Sequence, residues 1–303
     1  MAEVVTASRR PAEPGTTVPR WWPVDWAILV YFLVTGALIV LYWNRLPEAW
    51  WLLGLRLAGI LLLVLAQRVT LPWLEPSCWT FRHWYSVVYV AFCYKEMAIL
   101  IPAIRGITLD SEMARLDFTL WGVHPTVWLE RVHTPWLTEY LQIVYVLFVP
   151  MVLLVAALLW LKRRLAEFRY YAFLIALGFL ISYLGYLLVP VRGPLYLRDQ
   201  LQSFPLQGLW SFQVLRDAIA GLESIHFDCF PSGHTELTLL AWWSSRRISK
   251  GLFGVFSLYT VCMIFATVYL RYHYTIDLFA GAAVALALLV AVPRIYGKRR
   301  LLG

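Results

Sequence analysis

Charge is scarce in this chain. Only 15% of its 303 residues are Asp, Glu, Lys or Arg, whereas 61% are hydrophobic. A soluble domain cannot cover that much apolar surface, and a disordered chain needs the opposite balance. Cysteine is scarce as well: Cys78, Cys93, Cys229 and Cys262 form no CxxC pair and show no metal-ligand spacing, so no disulfide framework is expected. No internal repeat is visible, which removes the usual mark of an inverted-repeat transporter. The opening stretch, "MAEVVTASRRPAEPGTTVPRWWP", has no apolar core of the kind a cleavable signal peptide requires. It reads as a flexible tail over 1–23, with the first hydrophobic run as an uncleaved anchor.

What the chain does have is long apolar runs. Eight segments approach the roughly 20 apolar residues of a bilayer-spanning helix. They are 24–43, 49–66, 84–104, 138–160, 171–190, 230–244, 252–270 and 273–293. The second carries Arg56 and the sixth is short, so the expectation is an all-α polytopic transmembrane bundle of about eight spans, six to eight. The net charge of +8 then has an ordinary source, Lys and Arg facing anionic lipid. Nucleic-acid binding would need a basic stripe on a soluble domain.

Counting Lys and Arg in short loops predicts orientation. Lys162, Arg163, Arg164 and Arg169 follow the fourth span; Arg246, Arg247 and Lys250 follow the sixth; Arg294, Lys298, Arg299 and Arg300 fill a basic tail over 294–303. With eight spans these fall on one side, together with Arg9, Arg10 and Arg20. That side is expected to be cytoplasmic, with both termini inside. The outer face then carries the connections 105–137 and 191–229 and the short turn at Arg271. Cys78 would lie inside and Cys229 outside.

Three polar motifs converge on that outer face. In "RYHYTID" (271–277), His273 and Asp277 are four apart and share a helix face, so the carboxylate can hold one imidazole nitrogen and free the other as nucleophile or base. A tied-down helix start is the plainer reading of that pair, and two ligands fall short of a closed metal set. In "PSGH" (231–234), Ser232 and Gly233 offer backbone N–H groups and a positive dipole end to an anion, with His234 beside it. An N-cap with a chance histidine is the alternative. In "VPVRGPLYLR" (189–198), Arg192 stands among Pro190, Gly193 and Pro194, a rigid turn suited to holding a guanidinium against phosphate or a lipid headgroup. Together they read as a phosphoryl-transfer kit: anion cradle, Arg clamp, nucleophile with an orienting acid, and a second His as proton donor.

"PSGH" followed about forty residues later by "HYTID" resembles the type 2 phosphatidic acid phosphatase superfamily. The segments "FRHWYSVVYVAFCYKE" and "LDFTLWGVHPTVWLE…TPWLTEYLQIVY" are similar to its inositol phosphorylceramide synthase branch, an inositolphosphotransferase group with bacterial relatives. The resemblance implies N-terminal membrane helices over 24–78, then a catalytic domain over 79–293 with a six-helix core. It implies a phospho-histidine at His273, orientation by Asp277, leaving-group protonation by His234, and phosphoryl contacts from Arg192, Ser232 and Gly233. No metal and no organic cofactor are implied. Two positions depart from the broad pattern: Gly185 stands where the family has Lys, and Thr267 where it has Arg. Arg271 is the expected substitute for the missing charge.

Other polar residues fall within spans. Lys95 and Glu96, near the middle of the third, are expected to pair with each other or across helices, or to line a pocket. Glu139 and Gln142 sit at the outer end of the fourth span, where they could face the same cavity. His226 and Asp228 read as loop residues shaping access. His124, His133, Trp121, Trp128 and Trp136 read as an interfacial segment.

The function expected is transfer of a phosphoryl group from a lipid phosphate or phospholipid headgroup, in the plasma (inner) membrane with the site outside. Water as acceptor gives a phosphatase and an alcohol gives a phosphotransferase. The partners are membrane lipids. The competing reading is a transporter or a silent scaffold; a transporter would carry its ionisable residues at mid-bilayer.

Overall fold

Helix-forming runs separated by Pro-, Gly- and charge-bearing turns leave the backbone one way to satisfy its polar groups away from water, namely within each segment. The computed structural model describes residues 21–68, 75–222 and 225–296, and there the chain is all-helical, with thirteen α-helices and no strand. They are α1 (Pro23–Leu41), α2 (Ala49–Arg68), α3 (Glu75–Arg105), α4 (Asp110–Trp121), α5 (Pro125–Trp128), α6 (Pro135–Val146), α7 (Phe148–Leu161), α8 (Leu165–Leu188), α9 (Arg198–Leu201), α10 (Phe212–Leu222), α11 (Gly233–Ser245), α12 (Lys250–Tyr269) and α13 (Thr275–Tyr296). Residues 1–20 of the expected 1–23 tail, and residues 297–303 of the basic tail, lie outside the described residues, and with them Arg9, Arg10, Arg20, Lys298, Arg299 and Arg300.

Each of the eight apolar runs is helical, but not all are built alike. Among the described residues, five helices are long and apolar enough to cross a membrane: Pro23–Leu41, Thr80–Arg105, Leu165–Leu188, Lys250–Tyr269 and Thr275–Arg294. The fourth run is a sixth candidate split in two, since α6 and α7 meet at Leu147 with a bend of 44°. Pro150, in the first turn of α7, has no N–H to continue the ladder back to Val146, which accounts for the break. The apolar stretch of α2 includes Ala49–Leu65. Helix α11 is short for a span: its 13 residues rise about 20 Å at roughly 1.5 Å each, against a hydrocarbon core of about 30 Å.

The short helix α11 can afford its length because it is central. It packs against α7, α8, α12 and α13, and Thr235, Glu236, Leu237, Leu240, Ala241 and Ser245 are buried there. Glycine permits the closest approaches. A Cβ on Gly281 of α13 would stand 2.4 Å from the Ser232 carbonyl oxygen.

Opposite ends of the bundle differ in charge. Arg164 Nη1 donates to the Arg247 carbonyl (2.6 Å), joining the α7–α8 and α11–α12 turns. Arg247 lies over Tyr170, Tyr170 packs on Tyr296 near the end of α13, and Arg169 lies over Trp22 before α1. The basic turns therefore share one end. Asp25, fully buried at that end, accepts from Arg82 (2.9 Å) and from Tyr85.

Two buried charges of the second and third apolar runs find each other. Arg56 of α2 and Glu96 of α3, each about 3% exposed, form a bidentate ion pair, and Arg56 Nη2 also donates to Thr35 Oγ1 of α1 at 2.6 Å. The expected interhelical pairing of Glu96 is thus made with Arg56. Lys95 takes no share in it. It is exposed, and its Nζ donates to the Leu222 carbonyl at 2.5 Å.

Candidate active site

The end away from the basic turns holds all three motifs. Their loops are knitted by backbone: Cys229 N–H donates to Val191 O (3.2 Å), Leu195 N–H to Arg271 O (3.1 Å), and Ser232 N–H to Asp277 O (3.0 Å). Gly193 is required in this arrangement. Its φ of +97° suits glycine, and a Cβ there would meet the Tyr272 carbonyl at 2.5 Å.

His273 leaves the end of α12, where its N–H and that of Tyr272 both donate to the Thr267 carbonyl (3.0 and 2.9 Å). The ring is buried, 2% exposed. Its Nδ1 lies 3.5 Å from Asp277 Oδ2, one turn along, and its Nε2 lies 3.2 Å from His234 Nδ1. With the proton on Nδ1, toward Asp277, the Nε2 lone pair faces His234. The sequence-predicted triad of His273, Asp277 and His234 is therefore contiguous. His234 is held flat by aromatics, with its ring 4.6 Å from that of Tyr145 and 4.5 Å from that of Phe148, residues flanking the α6–α7 break.

Ser232 is the N-cap of α11. Its Oγ accepts from Thr235 N–H (3.2 Å), and its own N–H is taken by Asp277 O. This corrects the expectation of a free Ser232 N–H. Among the described residues, the N–H groups of Gly233 and His234 have no hydrogen-bond partner, and they are the donors left at the helix start. A Cβ on Gly233 would stand 2.6 Å from the Tyr186 hydroxyl.

Arg192 is exposed, and its guanidinium lies over Tyr196 (4.2 Å) and more distantly Phe227 (5.7 Å). These rings steer the charge while leaving its N–H donors to a ligand. Arg271 is different. Buried at 3% exposure, it forms an ion pair with Glu130 (3.0 Å) and donates to Phe204 O (2.6 Å), fastening the 122–134 and 202–211 connections to the His273 turn. Burial lowers its pKa, partly offset by Glu130. Glu139 likewise ties a loop. Its carboxylate accepts from the N–H groups of Leu209 (2.8 Å), Trp210 (3.2 Å), Ser211 (2.7 Å) and Phe212 (3.2 Å), at the start of α10. Glu96 is engaged with Arg56, and Lys95 with the end of α10. None of these four carries its charge to the His234–His273 contact.

Packing explains both departures from the motif pattern. A Cβ on Gly185 would stand 2.2 Å from Pro231 Cδ, so the position has no room for a lysine stem. Thr267 is fully buried, with its Oγ1 on Ile264 O (2.7 Å) and its carbonyl holding His273.

Three residues that hold the motifs together are not part of any motif. Asp110, 1% exposed at the start of α4, accepts from the N–H groups of Arg192 (3.1 Å) and Gly193 (2.8 Å), from Tyr274 Oη (3.2 Å) and from Thr108 Oγ1. One carboxylate thus joins the Arg192 turn to the His273 turn. Asp117, two turns along α4, accepts from Thr275 N–H (2.8 Å), Thr275 Oγ1 (2.8 Å) and Ile276 N–H (2.9 Å), and so caps α13 from outside. The spacing of seven in "DSEMARLD" was the available signal, since it places both acids on one helix face. The third is Cys229, whose Sγ donates to Asp277 Oδ2 (2.8 Å) and lies 3.3 Å from His273 Nδ1. Burial first, then the Asp277 charge, push this thiol's pKa well up, so it sits there as a neutral donor. Neighbouring Asp228, half-buried, accepts from Tyr94 Oη (2.9 Å), and burial raises its pKa.

The chain has no significant match among curated proteins or solved structures. A family model described as the PAP2 superfamily, the type 2 phosphatidic acid phosphatase group that the motifs resemble, matches residues 111–291. That is well over half of the chain and takes in all three motifs, and the chain belongs to the PAP2 superfamily.

Proposed function

We propose that the chain is an integral-membrane phosphoryl-transfer enzyme that acts on lipid phosphates or phospholipid headgroups through a phospho-histidine at His273. The observation that carries this reading is the facing pair of ring nitrogens, His234 Nδ1 and His273 Nε2 at 3.2 Å, with Asp277 behind His273. A phosphoryl group entering between them replaces that contact. The Nε2 lone pair attacks phosphorus, the bond from phosphorus to the leaving oxygen breaks, and His234 gives that oxygen its proton. Asp277 stabilises the positive charge that develops on the His273 ring. Arg192 and the open N–H groups of Gly233 and His234 hold the phosphoryl oxygens; the Ser232 hydroxyl can add a donor because its oxygen, not its proton, serves the cap. In the second half an acceptor hydroxyl gives its proton to His234 and attacks phosphorus, and the bond to Nε2 breaks.

Water as acceptor makes the protein a lipid phosphatase, and an alcohol such as inositol makes it a headgroup transferase. The segments that resemble the inositol phosphorylceramide synthase branch support the second. We assign the basic end to the cytoplasm and the site to the outer face of the plasma (inner) membrane, because Lys and Arg are retained on the cytoplasmic side.

The test is turnover by purified protein in detergent on a panel of lipid phosphates and phosphatidylinositol, with and without alcohol acceptors. His273→Ala is expected to abolish release and transfer while eluting as a folded protein. Wild-type turnover by that variant would sink the mechanism.

A further inference from the structure

The neighbourhood of His273 contains more donors than the phosphoryl-transfer reading uses. Cys229 Sγ, His273 Nδ1 and Asp277 Oδ2 lie mutually at 2.8 Å (S to O), 3.3 Å (S to N) and 3.5 Å (N to O), and all of these ligand atoms fall within 4.8 Å of one another. All three residues are buried, and Asp277 Oδ1 has no hydrogen-bond partner. In a tetrahedral zinc site with bonds of about 2.0–2.3 Å, neighbouring donors stand about 3.3–3.6 Å apart. Two of the three edges already fit. The third, S to O, is short because a thiol proton bridges it, and it opens when a metal takes the place of that proton.

We propose that Cys229, His273 Nδ1 and Asp277 form a zinc site that switches the nucleophile off. The donor set selects the metal. Thiolate and imidazole suit zinc and disfavour magnesium and calcium, which take oxygen. The charges also close: on binding Zn²⁺ the Cys229 thiol releases one proton, and thiolate plus carboxylate neutralise the ion, as a buried site demands. The imidazole stays neutral, and its proton moves from Nδ1 to Nε2 because Nδ1 now donates its lone pair to the metal. Nε2 then carries hydrogen and cannot attack phosphorus. Zinc thus blocks the reaction from behind the ring, without occupying the face toward His234.

Zinc binding uses the geometry of these donors and does not depend on the proposed reaction; only its inhibitory consequence rests on that reading. The test uses the full chain purified in detergent and stripped with a chelator. Zinc is added and measured after gel filtration, and cobalt(II) is added separately to read the thiolate-to-cobalt absorption. About one zinc per chain and a thiolate-to-cobalt band are expected. Both should be lost in Cys229→Ser and kept in Cys262→Ser. Absence of the band in the wild-type protein overturns the proposal whatever the variants do, and so does a band that survives in Cys229→Ser. Should Cys229→Ser fail to fold, Asp277→Asn, which removes an anionic ligand, is read in its place. In turnover, zinc should lower kcat and a chelator should restore it, while magnesium has no effect. In Cys229→Ser, measured against its own uninhibited rate, the half-inhibitory zinc concentration should rise at least about tenfold. Zinc binding with undiminished turnover overturns the switch. If metal-free protein turns over none of the lipid phosphates, the phosphoryl-transfer reading fails instead, and the cobalt band decides the zinc site by itself.

Discussion

Asp110 is the residue on which the assembly of the site can be tested most directly. Its carboxylate, 1% exposed, is the acceptor for the N–H groups of Arg192 and Gly193 and for the Tyr274 hydroxyl. In Asp110→Ala these three donors lose their acceptor in a place closed to water. A buried donor left without a partner costs about 1–3 kcal/mol, so the strain is on the order of 5 kcal/mol if nothing moves. The turn will move instead, since Arg192 is already exposed and its neighbourhood can open toward solvent. The penalty then appears as lost position at the proposed phosphate clamp, Arg192. Misplacement of a positioning group by roughly 1 Å costs about 10²-fold in rate, and that loss is expected in kcat/KM for a lipid phosphate in detergent micelles. Asp110→Asn keeps a carbonyl oxygen at the same reach and should recover most of the loss. A merely structural role would instead show as a lowered unfolding temperature with kcat/KM per folded molecule intact. Asp110→Ala with kcat/KM within about twofold of wild type would refute the reasoning, because a movable clamp could not then depend on this carboxylate.

Other expectations follow from single contacts. Asp117→Ala removes the external cap of α13 and should lower stability by about 1–2 kcal/mol, read as a lowered unfolding temperature in detergent. Arg56→Met leaves Glu96 buried and unpaired and should cost about 3–5 kcal/mol, whereas the double change Arg56→Met with Glu96→Met should restore most of it, measured by a thermal double-mutant cycle. Gly193→Ala combines a φ of +97° with a Cβ only 2.5 Å from a carbonyl, and should abolish turnover or folded yield. Gly185→Lys, which restores the residue of the broader motif, should destabilise rather than activate, because its Cβ would overlap the Pro231 ring at 2.2 Å; a gain in turnover would contradict that packing.

Much of the architecture is legible in composition and periodicity, because a chain with this little charge has few ways to satisfy its backbone. Each apolar run is helical in the structure. Length criteria alone do not give eight equal spans, since α11 is enclosed by α7, α8, α12 and α13 and needs no full-length apolar exterior. The charges inside the runs were legible as a problem but not as a solution. Lys95 and Glu96 adjoin in sequence, so successive side chains diverge around the helix, and the partner of Glu96 turned out to be Arg56 of another helix.

At the site, the sequence by itself determined the chemical parts. The His273–Asp277 spacing sets one helical turn between them, the Ser-Gly-His run starts a helix, and the proline- and glycine-bounded Arg192 needs a rigid turn. Those are local consequences of backbone geometry, readable without a fold. Only the tertiary structure decided which polar groups meet. It brought His234 to 3.2 Å from His273, fastened the Arg192 turn to the His273 turn through Asp110, turned Arg271 and Glu139 into loop ties, and set the Cys229 thiol on Asp277. The residues that do this joining lie about 40 to 160 positions from the motifs they serve. Their roles come from helices packed side by side rather than from any spacing along the chain.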